Sequence, residues 1–123
     1  MDSHRSERVS EALREELSEM IAYELSDPRI GDAVVTEVLL SPNMRHAQVR
    51  LHLSSDANGQ RQTIHALDGA RHFLRRELAK RLNLFRVPEL HFEPDVSTSG
   101  ERLDYLLKRV RRGRPRGEEH SSR

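Results

Sequence analysis

The sequence contains no cysteine and no tryptophan, and its aromatic residues are limited to three phenylalanines and two tyrosines. Without cysteine there is no disulfide, no thiolate nucleophile and no cysteine-ligated zinc site, and nothing indicates an oxidising compartment. No stretch of about 18 apolar residues is present that could span a membrane, and the opening segment, MDSHRSERVS, lacks the apolar core of a signal peptide. We therefore expect a cytoplasmic protein with a small aliphatic core and no membrane partner.

The chain also lacks the motifs of the common enzyme classes. It has no Walker loop, no dinucleotide fingerprint and no nucleophile elbow. Among its seven histidines, His52 and His91 lie on the polar sides of predicted strands and would approach each other if those strands were neighbours. Two histidines without a third ligand or an organising carboxylate make an incomplete metal site. We therefore expect no enzymatic activity, no cofactor and no metal.

Charge is distributed unevenly along the chain, although the net charge is only +1. Residues 1–40 hold four cations and ten carboxylates, whereas residues 60–92 hold seven cations and three carboxylates. Such asymmetry is typical of a protein with one side that faces a polyanion. Charge alone favours the simpler interpretation that both regions are solvated faces, so the assignment depends on the motifs below.

Apolar periodicity predicts a helix, two strands and a second helical region. Helical spacing over residues 6–25 indicates an acidic amphipathic helix that ends before Pro28. The segments AVVTEVLLS and AQVRLHL are strand-like and are joined by the turn SPNMR, so they predict a hairpin. SSDANGQ is expected to be a polar loop, and a helical pattern follows over residues 63–82.

The last third of the chain predicts a third strand and a short final helix. ELHFEPD follows Pro88 and alternates like a strand. Thr98 and Glu101 are spaced as a capping box before the apolar stripe of the final helix. Since each helix has one apolar stripe and each strand one apolar face, the helices should cover one face of a three-stranded sheet, an α+β fold. We expect one domain over residues 1–110 and a flexible basic tail over residues 111–123.

The long helical pattern contains two features that predict a break. Leu67, Leu74 and Leu78 share an apolar stripe, and Arg71 would fall inside it in an unbroken helix, where an unpaired guanidinium is costly to bury. Gly69 also disfavours a helix interior by about 1 kcal/mol relative to alanine. A kink over residues 69–72 would turn Arg71 outward and create a new helix N-terminus, which is a natural site for a phosphate.

Several segments, taken in order, resemble one family. DPRIG, SPNMRHAQV, FLRRELAKRLNLFRVPELHFEPD and GERLDYLL are similar to successive signatures of the ribosome-binding factor A family, over residues 7 to about 108. The resemblance implies a type II KH-like fold, in which an Ala-x-Gly kink replaces the Gly-x-x-Gly loop of KH domains. The kink aligns with Ala70, Arg71 and His72, so histidine stands where the family has glycine.

The resemblance implies a non-catalytic assembly factor of the small ribosomal subunit. Such a protein binds immature 30S subunits, promotes maturation of the 5′ region of the 16S rRNA precursor, and leaves before translation, with particular importance in the cold. We expect a monomer, with a ribosome-associated GTPase as a candidate for its release. The kink should comprise Gly69, Ala70, Arg71 and His72. The RNA-binding candidates are Arg71, His72, Arg75, Arg76, Lys80, Arg81, Arg45 and Arg50.

Two other classes of function are compatible with parts of the sequence. A basic helix after a kink loosely resembles a helix-turn-helix, so a general RNA- or DNA-binding regulatory protein is an alternative. The acidic first helix would suit a protein-interaction module. Strands on both sides of the basic helix argue against the regulator, and co-sedimentation with small subunits would distinguish all three.

Overall fold

The computed structural model describes residues 3–31, 33–54, 56–95, 106 and 108. Within that part of the chain, no helix is both long and apolar enough to cross a lipid bilayer. The predicted capping box at Thr98 and Glu101 and the tail over residues 111–123 lie outside the described residues. Of the predicted final helix, the structure describes Leu106 and Lys108, which are both helical; Leu106 is buried and Lys108 is exposed.

The first helix, α1 (Ser3–Tyr23), corresponds to the acidic amphipathic helix predicted over residues 6–25. It begins three residues earlier and ends two residues earlier than predicted. Leu13, Leu17 and Met20 are fully buried on its apolar side. The chain leaves the helix before Pro28, where the backbone N–H of Glu24 still donates to the Met20 carbonyl at 2.8 Å. The residue that forbids helix continuation therefore follows the helix end, as the sequence predicts.

Strands β1 (Val34–Leu40) and β2 (His46–His52) form the predicted antiparallel hairpin. The connecting turn contains Met44 in the left-handed region, with a φ of 59°. The Asn43 side-chain oxygen accepts from the Arg45 backbone N–H at 3.0 Å and holds the turn closed. The pairing register shifts between Val35 and Glu37, so β1 carries an irregularity at Thr36.

Strand β3 (Glu89–Pro94) pairs in parallel with β2, which gives a three-stranded sheet in the order β1-β2-β3. A parallel pair needs a long crossover connection, and the two helices between β2 and β3 supply it. His46 lies opposite Glu89 in this register, and Gln48 lies opposite His91.

The second helix, α2 (Ala57–Gly69), begins inside the segment predicted to be a polar loop, so that prediction is wrong. Its N-cap is Asp56, whose carboxylate accepts from the Gly59 backbone N–H at 2.9 Å. The first turns are polar, and the first buried residue is Thr63. Periodicity therefore detects the helix only from that point.

The helices pack on one face of the sheet. Along β2, Ala47, Val49 and Leu51 are fully buried while the residues between them are partly or largely exposed. This alternation leaves the opposite sheet face without a covering helix among the described elements. The core on the covered face includes Leu13, Leu17, Val35, Val38, Val49, Leu51, Leu67, Leu74, Leu78 and Leu90.

Candidate nucleic-acid interface

A break at Ala70 separates α2 from the third helix, α3 (Arg71–Leu82). Ala70 has φ −95° and ψ 3°, a conformation between the two helices that is open to ordinary residues. Its N–H donates to the Leu67 carbonyl at 3.0 Å, and its carbonyl accepts from the Leu74 N–H at 3.0 Å. Ala70 thus ends one helix and begins the next, inside the span 69–72 that the sequence analysis named.

The break does not depend on a left-handed residue. Among the described residues, positive φ values occur at Gly31, Met44 and Asn83, and therefore at neither Gly69 nor His72. A β-carbon at Gly69 would have no neighbouring atom within 4 Å. His72 consequently lies in ordinary helical backbone within α3, with no conformational penalty.

Arg71 is turned out of the apolar stripe, as the helical wheel requires. Its side chain is 45% exposed, and its Nε donates to the Asp68 carbonyl at 3.3 Å. The Asp68 carboxylate lies 3.9 Å away. The helix α3 begins at this residue without a side-chain cap, and Arg71 occupies the space beside its first turn.

Arg75, another of the predicted RNA-binding residues, is only partly exposed. Its Nη2 donates to the Val87 carbonyl at 2.8 Å and its Nε to the Pro88 carbonyl at 3.2 Å. The guanidinium therefore ties α3 to the segment that leads into β3. Its positive charge remains uncompensated by a carboxylate in these contacts.

Two of the predicted RNA ligands on α3 are engaged with carboxylates. Arg81 lies 2.6 Å from Glu24 and 3.6 Å from Glu16 of α1, and 3.3 Å from Glu77. These hydrogen bonds and charges raise the pKa of Arg81, and its side chain is only 28% exposed. Lys80 pairs with Glu77 at 3.0 Å but is 71% exposed. Arg81 therefore joins two helices, while Lys80 remains accessible.

Arg50 is likewise held between strands. Its Nε lies 2.8 Å from Glu93 on β3 and its Nη1 lies 3.4 Å from Glu37 on β1. The hydrogen bond to Glu93 raises the pKa of Arg50. The central strand thus uses this cation to bridge its two neighbours, a role that single-sequence analysis did not anticipate.

Three other arginines are available to bind a phosphate. Arg45, Arg76 and Arg86 make no ion pair or side-chain hydrogen bond within the described part of the chain, and all three are exposed. His72 is exposed one helical turn before Arg76. Three arginines line one shallow depression at the start of β3, which we call the basic cleft. Its lining residues are Arg45, His46, Arg75, Arg86, Val87 and Glu89.

Sequence reasoning missed two residues in the connection between α3 and β3. Arg86 belongs to the basic cleft but was not among the predicted ligands. Phe85, beside it, is fully exposed, whereas the other two phenylalanines are buried or partly buried. The segment LFRVP could have indicated these two residues, because an aromatic residue and a cation precede a proline there, outside any amphipathic pattern.

Comparison with known proteins places this arrangement in a family. The Ribosome-binding factor A family matches residues 5–107. The chain is 52% identical to the ribosome-binding factor A of Solibacter usitatus, over 99% of this chain and 100% of that protein. The chain belongs to the ribosome-binding factor A family.

Solved structures of ribosome-binding factor A share the fold. The crystal structure of the Thermus thermophilus protein has a TM-score of 0.68 and 28% identity, over 76% of this chain and 99% of that one. A homology model of the Thermus thermophilus protein, fitted into a cryo-EM map of its 30S complex, has a TM-score of 0.58 and 27% identity, over 80% of this chain and all of that one. The predicted α+β, type II KH-like fold is thereby confirmed.

Proposed function

We propose that this protein binds immature 30S ribosomal subunits and promotes maturation of the 5′ region of the 16S rRNA precursor. Support comes from family membership along nearly the whole chain and from the 30S complex of the Thermus thermophilus relative. In this proposal the protein acts in the cytoplasm as a monomer, without catalysis. It leaves before translation, with a ribosome-associated GTPase as a candidate for release, and growth in the cold needs it most.

The observation that carries the proposal is the set of unpaired cations around α3 and the start of β3. Arg45, Arg76 and Arg86 are exposed and have no carboxylate partner among the described residues. An unpaired arginine can offer its planar fork of donors to a phosphate oxygen, whereas a paired one must first lose its carboxylate. The basic cleft is therefore the surface best prepared for an RNA backbone.

Two acidic residues, Glu16 on α1 and Glu24 directly after it, strengthen this assignment by their placement. Glu16 and Glu24 face Arg81 of α3 and are satisfied there. Part of the negative charge in the first third of the chain is thus paired with an arginine of the same molecule, on the side where α1 meets α3. The cleft, in contrast, lies where β3 begins and keeps its positive charge.

The mechanism of binding would be electrostatic and shape-dependent. Each phosphate that an arginine neutralises releases condensed counterions, which favours association at low salt. Phosphate contacts position a protein but carry little sequence information, so selectivity would come from the folded shape of the immature subunit. Phe85 adds one exposed aromatic surface beside Arg86, on which an unpaired base could stack.

The experiment is sedimentation with purified 30S subunits from cells that lack the protein. We expect the wild-type chain to co-migrate with the subunits and the Arg45→Gln/Arg86→Gln variant to lose at least tenfold in affinity. Arg8→Gln/Arg61→Gln removes the same charge from exposed positions on α1 and α2 and should bind normally. Equal loss in both variants would indicate nonspecific charge, and unaltered binding in both would overturn the assignment of the cleft.

A cellular measurement separates subunit binding from rRNA maturation. In the deletion strain grown in the cold, we expect 16S precursors with unprocessed 5′ ends, and rescue by the wild-type chain but not by Arg45→Gln/Arg86→Gln. Normal 5′ ends in the deletion strain would overturn the maturation role. Tight binding to duplex DNA that competes with 30S subunits would instead favour a general nucleic-acid-binding regulator.

A further inference from the structure

Three potential metal ligands meet on the sheet face that the helices α1, α2 and α3 do not cover. His46 on β2 lies directly across from Glu89 on β3, and His91 follows two residues later on the same strand, so all three share one face. The Nδ1 atom of His46 lies 3.1 Å from the Nε2 atom of His91. One donor atom from each of the three side chains lies within 4.8 Å of the other two.

This spacing suits a tetrahedral zinc ion. Zinc binds imidazole nitrogen at about 2.0–2.1 Å, so two nitrogens on one tetrahedron are separated by about 3.3–3.4 Å. The two histidine nitrogens already lie close to that separation. In the free protein they can share only one hydrogen bond, with one ring as donor and the other as acceptor. A zinc ion placed between them would use a lone pair from each.

The backbone under these side chains is fixed. The His46 N–H donates to the Ser41 hydroxyl at 3.1 Å, and its carbonyl accepts from the Ser41 N–H at 2.9 Å. The Glu89 N–H donates to the Arg45 carbonyl at 2.8 Å. Side chains at fixed positions on neighbouring strands need little reorganisation to close on a metal, which favours binding.

The carboxylate of Glu89 completes the set. Its oxygens have no hydrogen-bond or ion-pair partner within the described residues, so no protein group must be displaced. Glu89 lines the basic cleft together with Arg45 and Arg86, and its negative charge offsets their field, which would otherwise repel a cation. The carboxylate is thus required by electrostatics as well as by coordination number.

We propose that His46, Glu89 and His91 form a binding site for a divalent transition metal, with zinc as the expected ion. Three protein ligands leave a fourth position for water. The bound ion would link the beginning of β3 to β2, next to the basic cleft. This inference is independent of the proposed ribosomal function, because it concerns the free protein.

The test is calorimetric titration of the full chain, without a histidine tag, with zinc chloride. We expect saturable binding of one equivalent, and a loss of at least tenfold in affinity in His46→Gln, Glu89→Gln and His91→Gln. The substituted side chains are on the solvent-facing side of the sheet, so the variants should fold, which circular dichroism would verify. Titration with cobalt(II) should give the intense visible absorption of a tetrahedral site.

Two control variants on the same sheet face make the result specific. His52→Gln removes a histidine from β2, and Glu93→Gln removes a carboxylate from β3, both outside the cluster. Both should bind zinc like the wild-type chain. The proposal is overturned if one-to-one binding is absent, if His91→Gln binds as tightly as wild type, or if His52→Gln loses as much affinity as His91→Gln. Unchanged affinity in Glu89→Gln would refute the three-ligand site.

Discussion

Gly69 and Gly31 show how differently two glycines can act in one fold. Gly69 closes α2 with a φ outside the left-handed region, and a β-carbon there would touch nothing within 4 Å. Gly31 has equally open surroundings, but its φ of +59° is disfavoured for residues with a side chain. The local backbone, and not the available space, therefore decides which glycine is replaceable.

Gly69→Ala is expected to raise the free energy of unfolding by about 0.5–1 kcal/mol, because alanine restricts the unfolded chain and favours the helix. Gly31→Ala should lower it by about 1–2 kcal/mol through backbone strain alone. Urea denaturation of both variants measures the two effects. A destabilised Gly69→Ala variant would mean that the break at Ala70 needs the freedom of its neighbour.

Asp27 and Arg29 form a local pair in the segment between α1 and β1. The Arg29 side chain, at 2.6 Å, and the Arg29 backbone N–H, at 2.9 Å, donate to the Asp27 carboxylate and lower its pKa to about 2. Because the folded-state pKa is below the unfolded value of about 3.9, the pair stabilises the fold above that value. This contribution is lost as the pH falls through about 2.

An NMR titration of the side-chain carboxyl carbons should therefore give Asp27 a midpoint near pH 2. Arg29→Gln should raise that midpoint toward the ordinary value, because both the side-chain hydrogen bond and the charge are removed. A midpoint that stays low in the variant would show that the backbone N–H alone holds the carboxylate ionised.

The contact partners of individual residues are the part of the structure that the sequence predicts least well. The sequence supplied the cations of α3, but it could not show that Arg81 faces Glu16 and Glu24 across a helix interface. Such partners are close in space and distant along the chain. Arg75, predicted to bind RNA, likewise donates to the carbonyls of Val87 and Pro88, which lie outside its helix.

At the scale of the element, α1 and α3 are joined by a charged contact as well as by the core. Arg81 bridges the two helices, whereas its neighbour Lys80 pairs only within α3. Arg81→Met keeps an aliphatic stem and should lower the free energy of unfolding by about 1 kcal/mol, as expected for a network of partly buried charges.

Lys80→Met removes the same charge from a largely exposed position and should alter stability by less than about 0.5 kcal/mol. Thermal or urea unfolding of the two variants separates the effect of losing the bridge between the helices from the effect of losing one positive charge. Equal destabilisation in the two variants would show that Arg81 contributes through net charge alone.

Helix and strand patterns allowed most elements to be predicted, but not their exact starts or their pairing. α2 begins six residues before its first buried position, because Asp56 caps a polar turn that periodicity does not detect. The parallel register of β2 and β3 brings His46, and not the predicted His52, to His91. Register depends on the crossover through α2 and α3, which a single strand's pattern does not encode.

At the scale of the whole molecule, binding to a polyanion should be governed by ionic strength. If the basic cleft contacts phosphates, the logarithm of the affinity for 30S subunits should fall linearly with the logarithm of the salt concentration. Arg86→Gln should weaken binding and make that slope shallower by about 1, whereas Arg8→Gln should leave the slope unchanged. Filter binding over a salt series measures both, and an unaltered slope in Arg86→Gln would remove this residue from the interface.

The ordinary backbone at Ala70 bears on which residue types the break between α2 and α3 can accept. Leu67 and Leu74 are fully buried on either side of the break, and Ala70 between them has a φ of −95°, so the bend needs no residue in the left-handed region. Residue types other than glycine can therefore occupy positions 70 and 72 without loss of the bend, as Ala70 and His72 do here. A sequence pattern that demands glycine at position 72 would therefore miss this chain, although its backbone bends at Ala70.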